Sequence, residues 1–584
     1  MLEINDIYPK LFYKSKLLPR IVKKDTKILI FSLSFIWIKY LTLLSTVFVQ
    51  RGTNVKLLWS PHFLQDNQDQ KVNDYQNEKL NFFFKKKVDN FEAINIYDLE
   101  SNNQELDEYD KKQVLEQTIT DVTQISRKVD INIEKEEKDL YHKRLKINTD
   151  AYKIIKYYLS KNEFDSILIP NGILYEWGIV ARVCKKIKIN FCTIESFFGI
   201  NKNQFCSKWN ESCLTWDDKS IEELWKKNYP YKYDNVKKNS FNIWYNKVNS
   251  KTNEHSIQFK TKNIEDKKLL KKLNISKNDL VCLMLPSFSY EKNFRLKKYC
   301  FKDHTDWIKK TLNFLEKKNV KIIYKCHPIP YDPENDRFNF KESEENSENV
   351  IKSLYSKFPE NLKIIYPDDN IHINDIIKIS DFGVSYWSSS AIELAWQGKK
   401  SIICSNIHFA NKEFVQTAKN ENEYYNYIEE CLTSKENCKL SKKLQNLSKY
   451  YADVWWKQYP RKIPWDILIG EYNYKNFNIK DTLNIKFHIS EYSNNFDHMI
   501  SKDTNKNYSN DDLILNYLKY IYYNFKKNKK VRCFAISSGL LSTLFKNYKI
   551  LWNKNSNKEI NLLFLLKYFI NYYHFFLKKI FFKN

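Results

Sequence analysis

Two short stretches carry the side chains best suited to holding an anion. One is Lys325-Cys326-His327-Pro328. The other is Ser388-Ser389-Ser390, followed by Glu393 and by Gly398-Lys399. A helix that begins at three hydroxyl side chains offers free backbone N–H groups, the positive end of its dipole and the hydroxyls to one phosphate. An imidazole at a neighbouring strand end can donate to the same phosphate or to a ribose, and Pro328 fixes the chain just beyond it. Lys325 is placed to neutralise phosphate charge or to serve as an ordinary strand-end lysine. Each stretch also has a plain structural explanation. His-Pro is a common turn, and Ser390-x-x-Glu393 is a capping box that needs no ligand. Their joint occurrence at the carboxyl ends of two expected strands favours the binding reading.

The elements that must position these residues follow an α/β rhythm. Lys27 to Ser32 reads as a buried strand, Trp37 to Val49 as a helix stopped by Arg51-Gly52, and Asn54 to Trp59 as the next strand. Residues 65–150 read as a polar insertion or a set of surface helices. Strands are expected at Phe164–Pro170 and Ile189–Ile194, with an Asn171-Gly172 turn and a helix from Tyr175 to Lys186 between them. Residues 201–275 read as a domain connection. A second series follows, with strands at Asp279–Pro286, Val320–Lys325, Leu362–Tyr366, Asp381–Tyr386 and Ser401–Cys404. Helices are expected from Asp306 to Lys318, Asn374 to Ile379 and Ser390 to Gln397. The expected fold is α/β, with two doubly wound, Rossmann-like domains and a cleft between them. Residues 1–250 form the first domain, 251–460 the second, and 461–584 a C-terminal extension.

Composition removes several classes. The 584-residue chain has 42% hydrophobic residues, which excludes wholesale disorder. Its eight glycines sit at 52, 172, 178, 199, 383, 398, 470 and 539, and no pair has the spacing of a Walker A loop or a dinucleotide fingerprint. The formal charge is +26, yet Arg supplies only nine of the 96 basic residues. Arg makes the commonest base-specific contacts, so a solvated lysine-rich surface is preferred to nucleic-acid binding. Eleven cysteines without a Cys-x-x-Cys fit reduced thiols in a cytosolic compartment. The opening residues lack the pattern of a signal peptide.

The pairing of His327-Pro328 with Ser388-Ser389-Ser390 resembles the HP and SS motifs of bacterial sialyltransferases and Kdo transferases. The wider run from Asp381 to Lys399 is similar to the capsule polysaccharide biosynthesis family. That resemblance implies a GT-B-like glycosyltransferase using a nucleotide-activated sugar, often a CMP-linked acidic one, with no separate cofactor and no metal. It implies that His327, Ser388 and Ser389 hold the nucleotide phosphate and that Glu393 faces the ribose. The segments Asn171–Gly178 and Thr193–Gly199 resemble acceptor-domain strand ends of the same group. An inverting transferase needs a base for the acceptor hydroxyl. Glu195, at a strand end, is the first candidate and Glu176 the second, the latter with the alternative of a solvated helix carboxylate. Asp368-Asp369 reads as a loop before a helix capped by Asn374 or Asp375, rather than as a metal site.

The basic, aromatic segment 560–582 suits either an interfacial helix at a membrane or a helix packed on the protein. The resulting expectation is a cytoplasmic enzyme, peripheral at the inner face of the membrane, acting on a surface-glycan or lipid-linked acceptor. Two rivals remain: a CDP-polyol phosphotransferase of similar fold, and a non-catalytic nucleotide-binding scaffold. Phosphotransferases of that kind typically carry Asp at the position of Glu393.

Overall fold

Every residue from Ile28 to Leu33 is buried, and successive side chains enter two different cores. That is the pattern of a parallel strand covered by helices on both faces. A computed structural model of the chain describes residues 26–33, 35–50, 53–60, 90–101, 105–126, 131–196, 204–213, 219–228, 264–287, 300–327, 346–369, 371–462 and 498–500. The first sheet is built from β1 (Lys27–Leu33), α1 (Phe35–Gln50), β2 (Asn54–Ser60), β3 (Phe91–Asn95), α2 (Glu108–Ser126), α3 (Lys138–Lys161), β4 (Ser166–Pro170), α4 (Tyr175–Ile187), β5 (Phe191–Ser196) and β6 (Gln204–Trp209). Its parallel strands run β3-β2-β1-β4-β5, and β6 adds antiparallel to β5. Leu41, Leu44 and Phe48 of α1 pack with Ile28 and Ile30 on one face. On the other face, Tyr152 and Ile155 of α3 and Ile179 and Val183 of α4 pack with Leu29 and Phe31.

The second sheet follows α5 (Lys219–Asn228) and α6 (Asp266–Lys272). It contains β7 (Val281–Leu285), α7 (His304–Leu315), β8 (Lys321–Lys325), α8 (Ser347–Leu354), β9 (Leu362–Ile365), α9 (Ile373–Ile379), β10 (Phe382–Ser385), α10 (Ser390–Trp396), β11 (Ser401–Ile403), β12 (Gln416–Thr417), α11 (Glu421–Thr433) and α12 (Lys442–Asp453). Its six strands are all parallel, in the order β9-β8-β7-β10-β11-β12. The order reverses between β7 and β10, which marks the place where doubly wound sheets bind ligands beyond their carboxyl ends. Gly383 lets α10 lie close on β10, because a Cβ there would stand 2.3 Å from Leu394 Cδ1 and 3.3 Å from the Leu283 carbonyl oxygen.

The two expected Rossmann-like sheets are therefore present, and every strand expected from the sequence is found. The stretch read as a polar insertion differs from expectation. It supplies an edge strand, β3, and two helices that cover the sheet. These helices look polar in sequence because their charges pair inside the protein: Asp110, Asp121 and Arg144 are fully buried. The supposed connection likewise supplies β6, and Ile221 and Trp225 of α5 enter the core of the second sheet. Past α12 the chain returns to the first sheet. There β13 (Arg461–Lys462) pairs antiparallel with β6, and Met499 and Ile500 enter its core. Among the described residues, no helix is long and apolar enough to cross a membrane. The segment 560–582 lies outside the described residues.

Candidate functional site

Register brings the motif residues of the second sheet to one level. Met284 pairs with Tyr324, and Leu285 pairs with Ser385. Ser287, His327 and Trp387 then each stand two residues beyond a common row on adjacent strands β7, β8 and β10. At the strand spacing of about 4.8 Å, the ends of β8 and β10 lie about 10 Å apart, with the end of β7 between them. This is the mouth of the switch point. Pro328 lies outside the described residues.

Two basic groups collect at the end of β8. Lys325 is half-buried, and its described hydrogen bond runs to the Cys326 carbonyl at 3.2 Å. Burial lowers its pKa. The backbone N–H of His327 donates to Ser347 Oγ at 2.9 Å. Burial, aided by the Lys325 charge, lowers the imidazole pKa to about 3. Both groups are held where their charged forms are disfavoured, and an anion at this end would relieve that cost. Sequence reasoning missed two further histidines nearby. Burial lowers His304, at the start of α7, to about 3, with His327 contributing. His372 caps α9, its Nδ1 accepting the Asn374 N–H at 3.2 Å. The cap expected from Asn374 or Asp375 is thus supplied by His372. Asp375 instead accepts the Ile264 N–H and pairs with Lys378.

At the end of β10, Ser388 Oγ accepts the Ser390 N–H at 3.2 Å, and the N–H groups of Ala391 and Ile392 bond the carbonyls of Ser388 and Ser389. The first turn of α10 is therefore closed on itself, and the hydroxyls of the serines, rather than open N–H groups, are what it offers a ligand. The capping-box geometry is absent. Ser389 occupies the cap position and makes no side-chain cap bond. Glu393 is 8% exposed, its Oε2 has no hydrogen-bond partner among the described residues, and burial raises its pKa to about 7. Lys399 takes no part in a phosphate site. Its Nζ donates to the carbonyls of Ile377, Lys378 and Ser380 and closes the end of α9. Asp369 pairs with Lys272 and accepts the Tyr366 N–H, as a loop residue would.

A carboxyl held neutral by the fold leaves a signature in stability. Glu393 keeps its proton up to about pH 7 in the folded protein and releases it near 4.5 in the unfolded chain. Its contribution is fully present below pH 4.5 and is lost as pH rises to 7, a change of about 3 kcal/mol. Urea titrations of wild type and Glu393→Gln at pH 4.5 and pH 7.5 should show the wild type losing that much relative to the variant.

At the corresponding end of the first sheet, β4 leads into a braced loop. Asn171 and Gly172 both have positive φ, at 32° and 74°. Asn171 Oδ1 accepts the N–H groups of Ile173 and Leu174, each at 3.0 Å. Tyr175 also has positive φ, 53°, and its N–H donates to Asp121 Oδ1 at 2.7 Å. The other Asp121 oxygen accepts from Arg144 Nη2 at 2.7 Å and from Asn148 at 2.9 Å. Arg144 Nη1 faces Glu176 Oε1 at 3.6 Å, and burial raises the Glu176 pKa. Glu176 is 2% exposed, so it is an interior group and the solvated-carboxylate alternative does not hold. Glu195 is half-buried near the end of β5, with its charge in reach of the Tyr40 phenol and the Cys206 thiol. Glu195 thus stands on β5 itself, whereas Glu176 lies in the first turn of α4, the helix that follows β4. Among the described residues, no cluster of three His, Cys, Asp or Glu side chains is arranged to hold a metal ion.

No protein-family model matches the chain, and no curated protein matches it. Solved structures do show similarity. A Thermosulfurimonas dismutans KpsC beta Kdo 2,4 transferase is 12% identical, with 58% of this chain and 88% of that one covered at a TM-score of 0.29. The UDP-GlcNAc 2-epimerase of Methanocaldococcus jannaschii, in complex with UDP-GlcNAc and UDP, is 12% identical over 72% of this chain and 97% of its own at 0.26. Arabidopsis thaliana UGT89C1 complexed with UDP is 12% identical over 82% and 99% at 0.20. The architecture rests on the strand orders above.

Proposed function

We propose that the chain is a glycosyltransferase that takes a sugar from a nucleotide donor, with the nucleotide phosphate held at the carboxyl ends of β8 and β10. One observation carries the reading. The parallel strands β8, β7 and β10 are neighbours, and their register sets His327 and the Ser388-Ser389 pair at one end of the sheet, at its switch point. The desolvated Lys325 beside them and the buried, unpartnered Glu393 suit a phosphate and a ribose respectively. The motif resemblance makes a CMP-activated acidic sugar the preferred donor and a surface-glycan or lipid-linked acceptor the preferred partner. On this reading Glu195 takes the acceptor proton, and no metal is required. The rate comes from positioning the reactants and from stabilising the departing phosphate.

Calorimetric titration with CMP, CDP, UMP, UDP and GDP tests the reading. Selective CMP binding, weakened about tenfold or more in His327→Ala and Ser389→Ala, is the expected result for charge-assisted phosphate contacts. Selective UDP or GDP binding would retain a nucleotide site and discard the CMP donor. A folded protein that binds none of the five would reduce the motif to a turn and a short helix.

A further inference from the structure

The central strand of the second sheet ends in a polar group that the motif reading left out. Ser287 is 8% exposed and sits between His327 and Trp387 in register. Its backbone N–H donates to His304 Nε2 at 2.7 Å, and its Oγ accepts the indole N–H of Trp387. A hydroxyl has one proton to give and two lone pairs. The indole occupies a lone pair, while the proton has no acceptor among the described residues. Trp387 directly precedes Ser388, so the indole bond ties the end of β7 to the serine run.

His304 sets this arrangement. It is fully buried, stacks on Trp307 with centroids 5.4 Å apart, and meets Tyr386 edge-on at 5.4 Å. Because Nε2 accepts from Ser287, the proton of the neutral ring resides on Nδ1. With its pKa lowered to about 3 by burial and by His327, the ring stays neutral, and remains an acceptor, through the physiological range. A charged ring would lose its lone pair on Nε2 and release Ser287.

We propose that the Ser287 hydroxyl donates to a phosphate oxygen of the bound nucleotide, and that His304 is the positioning residue that holds Ser287 through its backbone. A phosphate oxygen is an acceptor only, which matches a donor left over between two basic residues and a run of hydroxyls. The inference rests on the nucleotide-donor reading and adds a contact from the strand between the two motif strands.

Titration of wild type, Ser287→Ala, His304→Gln and His304→Phe with CMP, CDP, UDP and GDP, and with cytidine, uridine and guanosine, tests it. Ser287→Ala should weaken the preferred nucleotide about 10–100-fold, the range for a hydrogen bond to a charged group. Binding of the matching nucleoside, which has no phosphate, should be unchanged. His304→Gln offers another acceptor and should stay within about threefold of wild type, whereas His304→Phe should match Ser287→Ala. If the phenylalanine variant does not fold, the alanine and glutamine variants still decide the matter. Wild-type nucleotide affinity in folded Ser287→Ala, or equal losses for nucleotide and nucleoside, overturns the inference while the nucleotide site stands. Absence of any nucleotide binding in the wild type overturns both.

Discussion

Arg144→Met will destabilise the protein by about 3–5 kcal/mol, the usual cost of stripping one partner from a buried ion pair. The guanidinium is completely buried and is bound to Asp121 and Asn148, with Glu176 beyond. Methionine fills similar space but leaves the Asp121 carboxylate short of its cation in a dry interior. That same carboxylate accepts the Tyr175 N–H, and Tyr175 has φ of 53°, in the left-handed region. Such a backbone persists only where its surroundings impose it. The loss should therefore register twice: as a lower midpoint in urea, and as faster amide exchange over residues 171–176. An Arg144→Met variant with a wild-type midpoint would mean that the network contributes nothing net. Asp121→Asn keeps an oxygen for Tyr175 and should cost less than Asp121→Ala.

Glu195→Gln will lower turnover of the donor about 10²–10⁴-fold, the usual contribution of a general base. Nucleotide affinity should stay at the wild-type value, because the nucleotide is assigned to the other sheet. The measurement is nucleotide release from whichever sugar donor the titrations select, in wild type, Glu195→Gln and Glu176→Gln. Glu176 is interior and faces Arg144, so its substitution should reduce stability more than turnover. Turnover that survives Glu195→Gln and falls with Glu176→Gln in a stable protein would reverse the assignment.

The strands were legible because parallel strands buried on both faces are short apolar runs, as in Lys27–Leu33 and Val281–Leu285. The placement of His327 and of the serine run was legible for the same reason: each stands just past such a run. Three kinds of information were hidden. Helices α2 and α3 read as a polar insertion or surface helices because composition counts charges without showing that Asp121 and Arg144 meet. The strands β3, β6 and β12 are edge or near-edge strands, less apolar than central ones, and their partners are set by the fold rather than by local pattern. Ser287 and His304 carry no motif at all. Their roles follow from register, which puts Ser287 level with His327, and register exists only once the strands have paired. Capping misled twice. Ser390-x-x-Glu393 has the letters of a capping box, but closure of the first turn on Ser388 leaves Glu393 without that task, and His372 was overlooked as a cap because imidazole seldom plays that part.

The return of the chain to the first sheet bears on the order in which the molecule can be made. Arg461 pairs with Phe205, the Trp209 indole donates to the His498 carbonyl at 2.8 Å, and Met499 and Ile500 fill space in the first core. A ribosome emitting this protein from its amino end supplies β1 to β6 early, yet the outer strand arrives only after the whole second sheet has emerged. Until then the Gln204–Phe205 end of β6 lacks its β13 partner and presents unpaired N–H and C=O groups, an invitation to other nascent chains. The first half begins folding first and gains its last strand only after the second sheet has been made.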